Sequence, residues 1–246
     1  MVRTLLMRGM LAGLLAGVLA FGFARVFGEP PVDRAIAFEE QNASHAGHAA
    51  QPGAEAPAEV ELVSRTTQAG IGLGTALIVY GAAIGGLFSL VFAYVYGRVG
   101  RLSARTTSAL LALGAFIAVV LVPLMKYPAN PPAVGSPDTI GPRTGLFLMM
   151  LIISLVAATV AVLVARRLWL QLGGWNASVI AGFLFVSTIG IAQYFLPVVD
   201  EVPEHFSASV LWQFRVAVLG VQFVLWTTIG LAFGALAERS LSGRLG

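Results

Sequence analysis

Six runs of about twenty mostly apolar residues, the length of helix that crosses a bilayer, occupy this chain at 5–26, 70–96, 106–125, 145–165, 178–196 and 210–236. Charged residues make up 11% of the chain and hydrophobic ones 57%, whereas a soluble domain carries about 25% charge. In hydrocarbon every backbone polar group must be satisfied within the segment, and a helix does this. The pattern therefore predicts an all-α, polytopic integral membrane bundle in contact with the lipid bilayer. Residues 1–246 form one membrane domain with six transmembrane helices. Gly9, Gly13 and Gly17 recur every four residues in the first run, a face that admits a neighbouring helix closely. We read that run as a retained helix. The alternative is a secretory leader, with Arg3 and Arg8 ahead of the apolar stretch and Gly22 and Ala24 as a cleavage site, which leaves five spans. Gly81/Gly85 and Gly230/Gly234 repeat the small-residue spacing and predict close packing elsewhere.

Loop arginines set the orientation, because positive charge is retained on the cytoplasmic side. With both termini inside, the inner set is Arg3, Arg8, Arg98, Arg101, Arg105, Arg166, Arg167, Arg239 and Arg244. The outer set is only Arg34, Arg65, Lys126 and Arg143, so N-in, C-in is expected. All acidic residues except Glu238, and the histidines His45, His48 and His205, then lie outside. The outer face is where a cation would be gathered.

Several classes of function drop out. With no cysteine, disulfides, iron–sulfur clusters and thiolate metal sites are excluded. A phosphate-binding loop of the G-x-x-x-x-G-K-[ST] type needs a lysine after glycine, and the sole lysine, Lys126, follows Leu124-Met125. The arginines are scattered and not interleaved with aromatics, so no nucleic acid is implied. No Asp, Glu or His sits in the middle of a run, where proton- or sodium-coupled carriers usually hold one. No nucleophile–base pair suggests an enzyme.

Three outer loops carry the candidate chemistry. The first, 28–69, has a middle (about 42–58) rich in Ala, Gly, Pro and Gln, which predicts disorder. His45 and His48 lie there, and two imidazoles suit a borderline divalent ion, though a plain polar linker reads equally well. The second, 126–144, begins at Lys126 and is proline-rich. Residues before proline are held extended, so a stiff cap or docking surface is expected, or else a plain tight connector, with Lys126, Asn130, Asp138 and Arg143 as structural or gating residues. The third, 197–209, holds Asp200, Glu201, Glu204 and His205 within six positions. These are candidate metal ligands, and also residues suited to a helix start. Arg215 falls two turns into the last run, about 12 Å along it. A charge at that depth needs a partner, with Asp200, Glu201 and Asp138 as candidates. Lys126 and Arg215 are expected to be counter-charges to outer-loop carboxylates and not contacts of a transported ion.

The strings Lys126-Tyr127-Pro128-Ala129-Asn130-Pro131-Pro132, Asp138-Thr139-Ile140-Gly141, Glu201-Val202-Pro203-Glu204 and Leu211-Trp212-Gln213-Phe214-Arg215, with Gly28-Glu29-Pro30-Pro31 after the first run, resemble the CbtA family of cobalt transporter subunits. The resemblance covers essentially the whole chain. It implies a multi-pass protein, usually described with five spans, of the bacterial cytoplasmic (inner) membrane. It also implies a small single-span partner with a histidine-rich tail, CbtB-like, and a homo-oligomer is compatible with it. The function expected is a membrane subunit that moves a divalent transition ion, Co²⁺ or else Ni²⁺, inward without hydrolysing ATP itself and without a resident cofactor. The alternative is a non-conducting scaffold for a metal transport complex.

Overall fold

The computed structural model describes residues 2–49, 63–98, 100 and 102–242, the side chains of 43–49 and 242 excepted, and every regular element among them is helical. α1 (Val2–Phe23) passes through a π-helical turn (Ala24–Gly28) into α2 (Glu29–Ala49), and α3 (Arg65–Thr67) passes through another (Gln68–Gly72) into α4 (Leu73–Val95). α5 (Ala104–Ala115) continues through a third π-turn (Phe116–Leu121) into α6 (Val122–Lys126). After a short 3₁₀ turn (Pro137–Thr139) come α7 (Ile140–Phe195) and α8 (Ala208–Ser242). Among the described residues, taken as continuous stretches, 5 helices are long and apolar enough to cross a membrane: Val2–Asn42, Arg65–Val95, Ala104–Lys126, Pro137–Phe195 and Ala208–Leu241.

Proline explains two of the π-turns. A proline ring inside a helix collides with the carbonyl four residues earlier. Pro30 and Pro31 lie just beyond the turn at Ala24–Gly28, and Pro123 just beyond the one at Phe116–Leu121. Widening the preceding turn moves those carbonyls aside, so the helix continues through the proline. This is why residues 29–49, expected to belong to a loop, extend the first helix. Residues 50–62 lie outside the described residues.

The difference between six runs and five long helices lies in α7. As one straight rod its 56 residues would be about 84 Å long. It breaks instead at Gly173, where φ is 77° and ψ 163°, a left-handed conformation that L side chains rarely adopt. Thr139, just before α7, donates its hydroxyl to Glu201 beyond its far end at 2.9 Å, so the two halves run back alongside one another. The exposed indoles of Trp169 and Trp175 flank the bend, as aromatic anchors do at a membrane interface.

The core forms where α1 lies on α4 and α8, and α5 lies on α8. Phe233 meets Phe88 and Phe92 edge-on at 5.6 and 5.0 Å, and Leu5, Leu225 and Ile229 fill the layer around them. α1 and α4 touch backbone to backbone. A β-carbon on Gly9, Gly13 or Gly17 would collide with the carbonyl of Gly85, Gly81 or Leu77. The sequence spacing predicted this approach. Gly230 and Gly234 similarly admit α5, and Ser108 donates to the Gly230 carbonyl at 2.6 Å. A second cluster joins α6 to both halves of α7 through Val122, Met150, Ala157 and Ile189. The segment α5–α6 is thus shared between the main bundle and the α7 hairpin.

Candidate functional site

The Pro-rich loop, the acidic loop, the start of α8 and α2 converge at one end of the bundle. Phe206 anchors them: it is buried with Ala35, Val134 and Val210 and meets Phe38 edge-on at 5.1 Å. Arg34 of α2 donates to Gln213 of α8 at 2.6 Å. The first acidic residues beyond α1 are occupied locally, because Arg65 bonds both Glu29 and Asp33.

Glu201 ties the two loops together. Its Oε2 accepts from the Ser136 amide at 3.0 Å and the Thr139 hydroxyl at 2.9 Å, with Nε of Arg143 at 3.5 Å. The Ser136 amide, then the Thr139 hydroxyl and the Arg143 charge, hold the Glu201 carboxyl below the usual glutamate range. The loop conformation depends on Gly135, whose φ of 111° is one that L side chains rarely adopt, and a β-carbon there would push the Arg143 guanidinium aside. Arg143 also donates to the Ser136 carbonyl at 3.3 Å.

The lone lysine has a different partner from the one expected. Lys126 donates to the backbone carbonyl of Gln193 at 2.7 Å, and no ion pair of the described residues includes it. The last carbonyls of a helix lack intrahelical partners and attract cations, so a carbonyl suffices where a carboxylate was anticipated. Arg215 likewise bonds neutral acceptors, Asn130 Oδ1 at 3.0 Å and, more weakly, the Ala129 carbonyl at 3.4 Å. Glu201 is turned toward Arg143, and Asp138 is exposed with its amide on Ser136 Oγ at 3.3 Å. Of the three carboxylates considered for Arg215, Asp200 and Glu201 line the same cavity as its guanidinium.

Between these loops and the ends of α6, α7 and α8 opens a cavity of about 400 Å³, lined by Tyr127, Asn130, Arg143, Asp200, Glu201 and Arg215 with Leu124, Phe147 and Val199. The candidate ligands are distributed around it unevenly. Asp200 and Glu201 line its wall, whereas Glu204 and His205 are exposed on the turn before α8. His45 and His48 fall on the last turns of α2, and their side chains lie outside what is described. Among the described residues no three histidine or carboxylate groups gather into a coordination sphere. Sequence reading missed Ser136, Thr139, Tyr127 and Gln193. A helix-start signal, Ser-Pro-Asp-Thr, was available for the first two; the others offered none, because a backbone carbonyl leaves no trace in residue identity.

Taken together, these features define a multi-pass helical membrane protein with a cavity at one mouth of its bundle that carries charged groups of both signs. The family model described as a probable cobalt transporter subunit (CbtA) matches residues 2–238. The chain belongs to that family, whose description as a transporter subunit implies partner proteins. No curated protein and no solved structure matches it.

Proposed function

We propose that this chain is the membrane-spanning subunit through which a divalent transition ion, Co²⁺ ahead of Ni²⁺, moves inward across the bacterial cytoplasmic membrane. Membership of the CbtA family over nearly the whole chain carries the reading. The chemistry of the mouth is compatible with it, since Asp200 and Glu201 line a cavity and oxygen and imidazole suit such ions. In this reading the α7 hairpin crosses twice, giving six crossings with both termini inside, and the cavity faces out. No ATP is hydrolysed in this chain. Two charges crossing about 100 mV gain about 4.6 kcal/mol, enough to concentrate the ion over about a thousandfold. A small single-span, histidine-rich partner of the CbtB type delivers the ion to the mouth, where His45, His48, Glu204 and His205 serve as outlying ligands.

The test is cobalt accumulation by cells expressing this chain alone, the histidine-rich partner alone, or both. Accumulation that requires this chain and rises with the partner supports the reading. Accumulation with the partner alone removes it and leaves a scaffold.

A further inference from the structure

The charges lining the outer cavity do not cancel in the way a bare cation would require. Arg143 and Glu201 form one pair at 3.5 Å, and Glu201 is further engaged by Ser136 and Thr139. Arg215 has no carboxylate within 4.0 Å among the described residues: its partners are Asn130 Oδ1 and the Ala129 carbonyl. A guanidinium has five N–H donors in a planar fork, so it retains unused donors on a cavity wall. Asp200 lines the same cavity and makes no hydrogen bond to Arg215. The cavity thus presents an anion acceptor and a cation acceptor side by side. A bare divalent ion would be repelled by the first, and its size falls far short of the 400 Å³ on offer, a volume within the range of small-molecule sites, about 300–1,000 Å³.

Building on the metal-uptake reading above, we propose that the outer cavity receives its ion as a chelate with a small carboxylate-bearing molecule. Asp200 contacts the metal, and the Arg215 fork binds a carboxylate of the chelator. Guanidinium and carboxylate match in bidentate geometry, which explains an arginine at a place where a cation carrier gains nothing from positive charge. Nothing is transformed in the cavity. The ion and its chelator bind, and separation of the two precedes passage of the ion.

Isothermal titration of the full-length chain in lipid nanodiscs tests this, using cobalt chloride, sodium citrate and preformed cobalt–citrate as the three probes. Cobalt–citrate is expected to bind at least about tenfold more tightly than either component, the lower end of what a charge-assisted bidentate bond contributes. Arg215→Gln should erase that advantage while the circular dichroism of a folded helical protein is retained. Should Arg215→Gln not fold, Arg215→Lys keeps the charge and loses the fork, and should lose most of the advantage. Asp200→Asn should weaken cobalt–citrate and leave citrate alone bound no more weakly than in the wild type. Cobalt chloride binding as tightly as the chelate, citrate alone binding as tightly, or a folded Arg215 variant with unaltered preference would overturn the proposal. Chelate binding without cobalt uptake would remove the uptake reading and leave this one standing. Uptake from cobalt chloride with no gain from citrate would do the reverse.

Discussion

Nζ of Lys126 donates to the carbonyl of Gln193 at 2.7 Å, and one residue on, the Tyr127 hydroxyl donates to the carbonyl of Pro197 at 2.9 Å. Two adjacent residues at the end of α6 thus tie down the final turn of α7 and the chain leaving it. A charged hydrogen bond of this kind is worth about 1.5–3 kcal/mol and a neutral one about 1 kcal/mol. Lys126→Met should therefore lower the thermal unfolding midpoint in detergent more than Tyr127→Phe does. Uptake per folded molecule should stay near wild type in both. Wild-type stability in Lys126→Met would show that the bond does not hold the two ends together.

Gly13 and Gly81 face one another so closely that a methyl on either would enter the other's backbone. Neither side can yield as a flexible side chain would, and overpacking of this kind costs about 1–3 kcal/mol or more. Gly13→Ala should reduce folded protein sharply. Gly22→Ala, where nothing lies within 4 Å, should be silent. Equal yields of the two variants, read by size-exclusion chromatography, would contradict the backbone contact.

The glycine faces and the apolar runs were legible because each reflects a local rule: hydrocarbon needs helices, and close helices need small residues. The end of the apolar run at 26 misled, because the helix continues as the polar α2 past Pro30 and Pro31, where the π-turn before them absorbs the proline clash. The arginine pair at Arg166 and Arg167 marked a loop, yet the helix persists to Gly173, since residues 168–172 are good helix formers ending on two glycines. At the mouth, sequence grouped Asp200, Glu201 and Arg215, and all three line one cavity, but the hydrogen bonds of Arg215 go to Asn130 and the Ala129 carbonyl. Pairing there is decided by which loop brings a backbone amide or carbonyl within reach, and that is a property of the fold.

Glu201 carries a pH dependence with a defined sign. Its carboxyl is held below its ordinary value of 4.5, chiefly by the Ser136 amide and the Thr139 hydroxyl. A depressed folded-state value means the contribution is present above 4.5 and is lost as pH falls through the lower folded value. Amide exchange at Ser136, corrected for intrinsic rate, should stay protected above pH 5 and lose protection in acid. Glu201→Gln should remove much of that protection at neutral pH. Protection unchanged in Glu201→Gln would mean the clamp does not order the loop.

The α7 hairpin makes a topological prediction. Reporter fusions at Gly135 and Pro203 should both read the outside, and a fusion at Arg167 the cytoplasm. The Thr139–Glu201 bond requires the first two to agree, so opposite signals at Gly135 and Pro203 would contradict the folded-back helix.

Inward cobalt movement driven by membrane potential is the central claim, and sealed vesicles test it most directly. The chain is reconstituted with its histidine-rich partner, without ATP, and an inside-negative potassium diffusion potential is imposed. Cobalt should accumulate in vesicles holding both chains, more strongly as the potential grows, and much less when Asp200→Asn replaces the wild type. Accumulation no greater than in vesicles carrying the partner alone, at any potential, would contradict the account.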